Sequence, residues 1–278
     1  MSILDITIVI TSFKSSDKIK DCLNSINNKC KVLVVENSND TEFKKNIENE
    51  FSNIECILTG NNLGYGKANN IGLSKVKTKF ALILNPDTLL HKSTLENFIK
   101  VTKVIKSFAI MAPFIQTEED KKIEEKKFSI SVNNVKGFAM FLNMSEFKDI
   151  GFFDEHFFIY FEEIDLCKRV IDSNKKIFLI PDIKIEHLGG LSHNKNFEKE
   201  IELSRNWHWM WSSFYYHRKY KGFLFSFLLL FPKLLSSIIK TIFHFLLLNK
   251  NKKEIYFHRF LGLVNAMAGK KSWYRPNV

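Results

Sequence analysis

The sequence predicts an α/β fold: a mostly parallel central sheet flanked by helices, with a C-terminal amphipathic helical extension. Three observations carry this. Short apolar runs alternate with helical patterns from Asp5 to about Ile105, the mark of βαβ units. The run Phe80–Leu84 is apolar without a break, as expected of a strand covered on both faces. Charge is also divided along the chain. Arg205 to Val278 holds 13 Lys/Arg and one acid, Glu254, for a net +12, while Met1 to Ser204 holds 28 basic and 29 acidic residues, for a net −1.

Taken in order, Asp5–Ile10 is a first strand running into Thr11-Ser12-Phe13. Its flanks lack a basic stretch and a small-residue cleavage site, so it reads as a strand and not as a leader. Ile19, Cys22, Leu23 and Ile26 share one face of a helix over Lys18–Ile26. Val32–Val35 is a second strand, ending in Glu36-Asn37-Ser38. Phe43, Ile47 and Phe51 mark a helix over Thr41–Ser52, and Ile54–Leu58 is a third strand. A loop over Gly60–Tyr65 leads to a helix over Gly66–Lys75, and then to the Phe80 strand. His91–Ile105 is helical, and Lys136–Leu142 returns to the core as a strand. The charge run Thr117–Lys127 reads as a solvated loop.

Several classes are excluded. The Gly-x-Gly at Gly64–Gly66 does not follow the first strand and lacks a third Gly in register, so a dinucleotide-binding dehydrogenase is ruled out. No GxxxxGK[ST] occurs. The 4 Cys form no CxxC pair and read as reduced thiols of a cytosolic chain.

Two stretches carry chemistry. After the Phe80 strand come Asn85-Pro86-Asp87-Thr88. A carboxylate at the lip of a central strand lies where open α/β sheets bind ligands, and it suits a hard cation. A plain Asn-Pro-Asp turn is the alternative. Further on, Glu162, Glu163 and Asp165 enter a helix directly after the aromatic segment Phe152–Phe161. Acids in a first turn are favoured by the helix dipole alone. Apolar walls would also raise a carboxylate's proton affinity and make it a usable general base. His187, at a strand end before Gly189-Gly190, is a candidate metal ligand.

The motifs IVITSF, VVENSND, NNLGYGKANNIG, LNPDT, GFFDEHFFIYFEEIDLCKR and EHLGG, in this order over about Ile6–Gly222, resemble the family 2 glycosyltransferases of GT-A fold. Within these the likeness is to the bacterial rhamnosyltransferase-like group. The resemblance implies a GT-A catalytic domain over 1–205, with a nucleotide-sugar half over about 1–110 and an acceptor half over about 111–205. A basic, aromatic-rich tail over 206–278 follows.

It also implies roles. Thr11, Ser12, Glu36 and Asn37 would line the base and ribose pocket. Asn62, Gly64, Lys67 and Asn70 would cradle the nucleotide, with Gly137 also in the donor site. Asn85 and Asp87 stand at the Asp-x-Asp metal motif, with Asn85 replacing the usual first acid. Asp87, helped by His187, would hold a divalent metal, Mg2+ or Mn2+. Glu163 stands where the family has its catalytic base; with Glu162 beside it the choice between them is open, and Asp165 belongs to the same acidic set.

The reaction implied is inverting, metal-dependent transfer of a sugar from a nucleotide-sugar donor to a glycan or lipid-linked acceptor in cell-surface polysaccharide synthesis. dTDP-rhamnose is favoured, and a UDP-sugar is second. A different class also fits: a non-catalytic, membrane-associated protein that binds nucleotide sugars or glycans. A processive synthase does not fit, because no Gln-x-x-Arg-Trp occurs.

The tail is apolar over Phe223–Leu248, but Ser226, Lys233, Ser237, Lys240, His244 and Asn251 fall in a stripe about 60° wide. Two Lys within a span would cost roughly 2.5–3.5 kcal/mol each, and Pro232 interrupts the run. Two interfacial helices joined at Pro232 are therefore expected, lying on an anionic membrane surface at the inner, cytoplasmic face of the cell membrane. Arg218, Lys219, Lys221, Lys250, Lys252 and Lys253 would meet lipid headgroups. A homodimer interface or a helical cap is the alternative. Nucleic acid is not expected, because the basic residues flank apolar runs instead of interleaving with polar ones. Trp207, Trp209 and Trp211 read equally as interfacial anchors or as core.

Overall fold

The computed structural model describes residues 1–113, 128–187 and 197–276. The charge run Thr117–Lys127 and the segment Leu188–His193 lie outside these residues. The chain divides into two compact units. The first comprises Met1–Leu63, Lys67–Phe153 and Glu163–Asn194; the second comprises Gly64–Gly66, Asp154–Glu162 and Lys195–Val278.

In the first unit the chain runs β1 (Ile6–Ser12), α1 (Ser16–Ser25), β2 (Lys31–Glu36), α2 (Thr41–Glu50), β3 (Ile54–Leu58), α3 (Tyr65–Ser74), β4 (Phe80–Leu84), β5 (Thr88–Leu90) and α4 (Thr94–Val104). It continues through β6 (Ile110–Pro113), β7 (Ile130–Val132), β8 (Ala139–Asn143), α5 (Glu162–Asp172), β9 (Ile177–Ile180) and β10 (Ile185–His187). Eight strands form one sheet in the order β3-β2-β1-β4-β8-β6-β9-β7. Of its seven pairings, four are parallel and three antiparallel.

The centre of the sheet follows from the apolar runs. Every residue of β1, β4 and β8 is buried. Phe141 of β8 stacks on Phe98 of α4 at 4.5 Å between ring centroids and lies 5.0 Å from Phe80 of β4. Asp40 caps α2 by accepting from the Phe43 N–H at 2.8 Å. The sheet accepts α3 closely because Gly72 has no side chain: a Cβ there would come within 2.5 Å of Val9 Cγ1. The expected strand over Lys136–Leu142 begins three residues later, at Ala139. The short strands β5, β6 and β7 carry no alternation that the sequence makes visible.

The two strands outside the main sheet matter most for the site. β5 and β10 pair antiparallel, with His187 opposite Thr88. Each is tied to a helix. The Leu90 N–H donates to Ser25 Oγ of α1 at 3.0 Å, and Thr94 Oγ1 of α4 donates to the Lys184 carbonyl at 2.9 Å.

The second unit contains α6 (Glu198–Lys221), α7 (Phe223–Leu246) and α8 (Lys250–Met267). Trp207, Trp211, Phe214, Leu230 and Leu263 form its core, so two of the three tryptophans are core residues, whereas Trp209 is 45% exposed. Gly262 of α8 faces the backbone of Trp207 so closely that a Cβ would meet its carbonyl oxygen at 2.1 Å. The sequence expectation of two helices meeting at Pro232 is corrected. α7 is one helix of 24 residues with Pro232 inside it. The proline leaves the Leu228 carbonyl without its i+4 donor, and Leu228 is 63% exposed, so water or another partner can replace that donor.

Truncating the aromatic stack tests this account of the core. Phe141→Ala should cost about 3–5 kcal/mol, read as a lower urea midpoint with little change in slope. A loss below about 1 kcal/mol would contradict it.

Candidate active site

The carboxyl ends of β1, β2 and β4 carry most of the residues singled out by the sequence. Ser12 ends β1 and pairs in register with Glu36 at the end of β2. Glu36 is 2% exposed and accepts from Ser38 Oγ at 2.7 Å. Burial pushes its carboxyl above the usual range, against the pull of the Ser38 and Ser12 hydroxyls. Thr11 is buried, and its hydroxyl oxygen has no hydrogen-bond partner.

Asn37 is also buried and organises its neighbours. Its N–H donates to the Ser12 carbonyl at 2.7 Å. Its amide donates to Asn62 Oδ1 at 3.0 Å and accepts from the Leu63 N–H at 2.8 Å. Thr11, Ser12, Glu36, Asn37 and Asn62 are thus assembled on one edge of the sheet.

At the end of β4, Asn85 begins a closed turn. Its N–H donates to the Phe138 carbonyl at 2.8 Å, and its own carbonyl accepts from Thr88 Oγ1 at 2.7 Å. Asp87, inside this turn, is 3% exposed. The side-chain oxygen of Asn85 and Oδ1 of Asp87 are both buried and have no hydrogen-bond partner among the described residues. His187 Nε2 lies 3.4 Å from Asp87 Oδ1, near enough to pair as an ion but not in hydrogen-bond geometry. The His187 ring stacks on Phe138 at 4.6 Å and 11°. A pair of buried acceptors with unfilled lone pairs, next to an imidazole, is a donor set that a hard divalent cation fits. Among the described residues no group of three or more His, Cys, Asp or Glu side chains could hold a metal alone. A cation here would therefore take its remaining ligands from water or from a bound phosphate.

Helix α5 presents the acids. Its Cys167 thiol lies on the backbone of Val135, in the segment leading to Phe138 and Asn85. One turn earlier, Glu163 Oε2 is buried without a hydrogen-bond partner among the described residues. Burial raises the Glu163 carboxyl above its usual range, opposed by the N–H groups of Glu163 and Ile164 in the first helical turn. Asp165 is fully buried and bonded to Arg169 Nε at 2.9 Å. Arg169 also donates to the carbonyls of Ile150, at 2.7 Å, and Phe152. Asp165 thus anchors the arginine that shapes the 150–152 turn.

Two further residues are engaged in packing. Asn70 exchanges two hydrogen bonds with the backbone of Phe153, at 2.9 and 3.0 Å. Gly64 has φ +86°, and a Cβ there would come within 2.3 Å of the Phe158 carbonyl oxygen, so only glycine fits. Lys67 lies in the first turn of α3, and Gly137 directly precedes Phe138.

In the second unit, Glu162 is 5% exposed. The two residues before it, Tyr160 and Phe161, have φ of 69° and 70°, a left-handed conformation that costs non-glycine residues of order 1–3 kcal/mol each. The loop that carries them is held firmly. Lys219 Nζ lies 2.7 Å from Asp154 Oδ2, Tyr215 donates to the same oxygen at 3.1 Å, and Ser212 donates to the Ile159 carbonyl at 2.9 Å. Although burial works against it, Lys219 with His156 holds the Asp154 carboxyl down to about 2. The sequence pattern does not disclose this strained, braced loop. The acid-aromatic segment drew notice for its composition, not for its backbone.

The chain belongs to glycosyl transferase family 2, whose profile matches residues 7–167. It is 27% identical over 198 residues to the low-salt glycan biosynthesis hexosyltransferase Agl10 of Haloferax volcanii, covering 62% of this chain and 64% of that relative. It is 24% identical over 239 residues to the rhamnosyltransferase WbbL of Escherichia coli, covering 72% of this chain and 88% of that one. Its fold is similar to the mannosyltransferase PcManGT from Pyrobaculum calidifontis, solved with GDP-Man and Mn2+. The TM-score is 0.61 at 12% identity, over 96% of this chain and 88% of the other. The fold is the GT-A arrangement.

A pH titration of stability isolates Glu163. Its folded carboxyl is raised, so its stabilising contribution is complete below the unfolded Glu value of about 4.3 and is lost as pH rises through the folded value. Glu163→Gln lacks this loss. The variant should therefore gain in Tm over the natural protein as pH goes from 4 to 8, and a difference that does not change with pH would contradict the assignment.

Proposed function

We propose that this chain is an inverting glycosyltransferase that moves a sugar from a nucleoside-diphosphate donor to a glycan or lipid-linked acceptor. One observation carries the reading. In a family 2 chain, Asp87 Oδ1 and Glu163 Oε2 are buried carboxylate oxygens without hydrogen-bond partners among the described residues. Such groups are costly to maintain, and a ligand that completes them accounts for their presence.

Asp87, Asn85 and His187 would hold a divalent cation, Mg2+ or Mn2+. When bound, it would offset negative charge on the departing diphosphate. Thr11, Ser12, Glu36, Asn37 and Asn62 would receive the base and ribose, with Lys67 and Gly137 completing the donor site. Gly64 and Asn70 act as positioning residues through Phe158 and Phe153. Glu163 takes the proton from the acceptor hydroxyl, whose oxygen attacks the anomeric carbon on the face opposite the leaving group. A single displacement inverts configuration and needs no covalent nucleophile. This agrees with the thiols: all four cysteines are buried, and burial pushes their pKa values up to about 11 or 12, where they are inert.

The sugar is read as rhamnose from a dTDP donor, with a UDP-sugar second; the likeness to WbbL supports the first. The setting is cell-surface glycan synthesis on the cytoplasmic side of the membrane. The basic helical unit, net +12 over Arg205–Val278, would dock on an anionic bilayer.

A donor panel assayed with the natural chain and with Glu163→Gln tests the reading. Turnover should rise with pH through a value above the ordinary Glu range. The variant should lose about 10²- to 10⁴-fold in kcat while keeping donor affinity. Undiminished turnover in the variant would remove Glu163 as the base. Donor binding without hydrolysis or transfer across the panel would favour a non-catalytic binding protein.

A further inference from the structure

The stripe that the sequence marks as polar on α7 is only in part a solvent face: Lys233 and Lys240 are exposed, but its serines are not. Ser226 and Ser237 are 0% and 3% exposed, and their hydroxyls donate back to the carbonyls of Gly222 and Lys233 at 2.7 and 2.8 Å. The opposite side is apolar and bare. Leu224, Leu228, Leu235, Ile239, Ile242 and Leu246 are 44–72% exposed. At 100° per residue they occupy an arc of about 60° facing away from the buried serines. A contiguous bare strip of large aliphatic side chains is unusual on a soluble surface and marks a docking face.

Between this strip and the buried serines α7 carries two lysines. Going round α7 from the strip, Pro232 comes first, then Ser236, then Lys240 and Lys233. Pro232, Ser236 and Lys233, but not Lys240, line a cavity of about 320 Å³ among α6, α7 and α8, together with Trp209, Ser237, Tyr256 and Arg259. Arg259 is fixed in place: its Nε donates to Asn206 Oδ1 at 2.6 Å, and its guanidinium lies 5.4 Å from the Tyr256 ring centroid. Lys240 Nζ lies 5.1 Å from the same ring. Among the described residues, none of these three cations pairs with a carboxylate. The unit's one acid beyond Arg205, Glu254, bonds Lys199 at 2.6 Å.

We propose that α7 lies in the plane of a bilayer surface with its apolar strip in the acyl boundary, and that the Lys233–Arg259 cavity on its flank takes the phosphate of an anionic phospholipid headgroup. This rests on the membrane reading given under Proposed function and specifies its face and its ligand. The charge pattern selects the occupant. Basic side chains beside a buried aliphatic face match an anionic headgroup above acyl chains. A two-fold contact between copies would set like-charged rims against each other. Lys233 and Lys240, midway along α7, oppose a spanning orientation. Lys219, expected from the sequence to meet lipid, is already paired with Asp154.

Flotation of the full chain with phosphatidylcholine vesicles, with and without phosphatidylglycerol, tests the proposal. The natural protein should float with phosphatidylglycerol vesicles and only weakly without. Lys233→Gln/Arg259→Gln should lower the apparent partition about 25-fold, from about fivefold per basic side chain. Lys45→Gln/Lys100→Gln, with the same change in net charge, should leave it unaltered. Lys233→Gln alone, at an exposed position, serves should the double variant fail to fold, with a loss of about fivefold expected. Leu228→Ser/Ile239→Ser should abolish flotation.

Absence of flotation of the natural protein would overturn the membrane reading and the pocket together. Flotation that the Lys233 and Arg259 variants leave at the control level would overturn the pocket alone. Dimerisation in light scattering without vesicles, lost in Leu228→Ser/Ile239→Ser, would make the strip an interface between copies and overturn the proposal.

Discussion

A carboxylate sealed from water must be compensated by donors or by a cation, and Asp87 has little of either from the protein. Its Oδ1 lies 3.4 Å from an imidazole outside hydrogen-bond geometry. Much of the surrounding architecture serves to keep it there. β4, buried on both faces, brings the chain to that point. The Asn85–Thr88 bonds close the turn. The small β5–β10 sheet, tied to α1 and α4, brings His187 opposite Thr88. The Asn85–Phe138 bond links the turn to the segment on which α5 rests. Helix α5 then presents a second carboxylate with one buried oxygen that lacks a partner among the described residues, Glu163 Oε2.

What the sequence made legible follows from what periodicity can encode. The continuous run Phe80–Leu84 could only be a strand covered on both sides, and Asp87 follows it directly, so that position was readable. β5 was not, because three residues are too few to show alternation. Its partner β10 lies about a hundred residues away, and no local signal announces a long-range pairing. Asp165 illustrates a different limit. An acid in the first turns of a helix looks the same whether it serves chemistry or holds Arg169; only the i, i+4 pair in place decides. Likewise the resemblance marked Asn70 and Gly64 as residues that would cradle the nucleotide, whereas their packing against Phe153 and Phe158 emerges only in three dimensions.

The helical unit shows how a correct periodicity can be assigned to the wrong surroundings. The stripe of Ser226, Ser237 and their neighbours is real, and amphipathic reasoning turns such a stripe toward water. Here the small polar residues let α7 approach its partner helices, and the aliphatic side is left outward. Lysines that look equivalent in the sequence also separate. Lys219 braces the loop before Glu162, whereas Lys233 lies beside a cavity without a carboxylate partner.

The central claim is that the undercompensated Asp87 carboxylate binds a nucleoside diphosphate through a divalent cation. Isothermal titration of UDP and dTDP into the natural chain and into Asp87→Ala, each with Mn2+ and with excess chelator, tests it most directly. The account predicts metal-dependent binding by the natural chain that falls at least about a hundredfold in the variant, the cost of losing a charge-assisted contact of about 3 kcal/mol. Equal affinity in Asp87→Ala, or binding by the natural chain that the chelator leaves untouched, would contradict it.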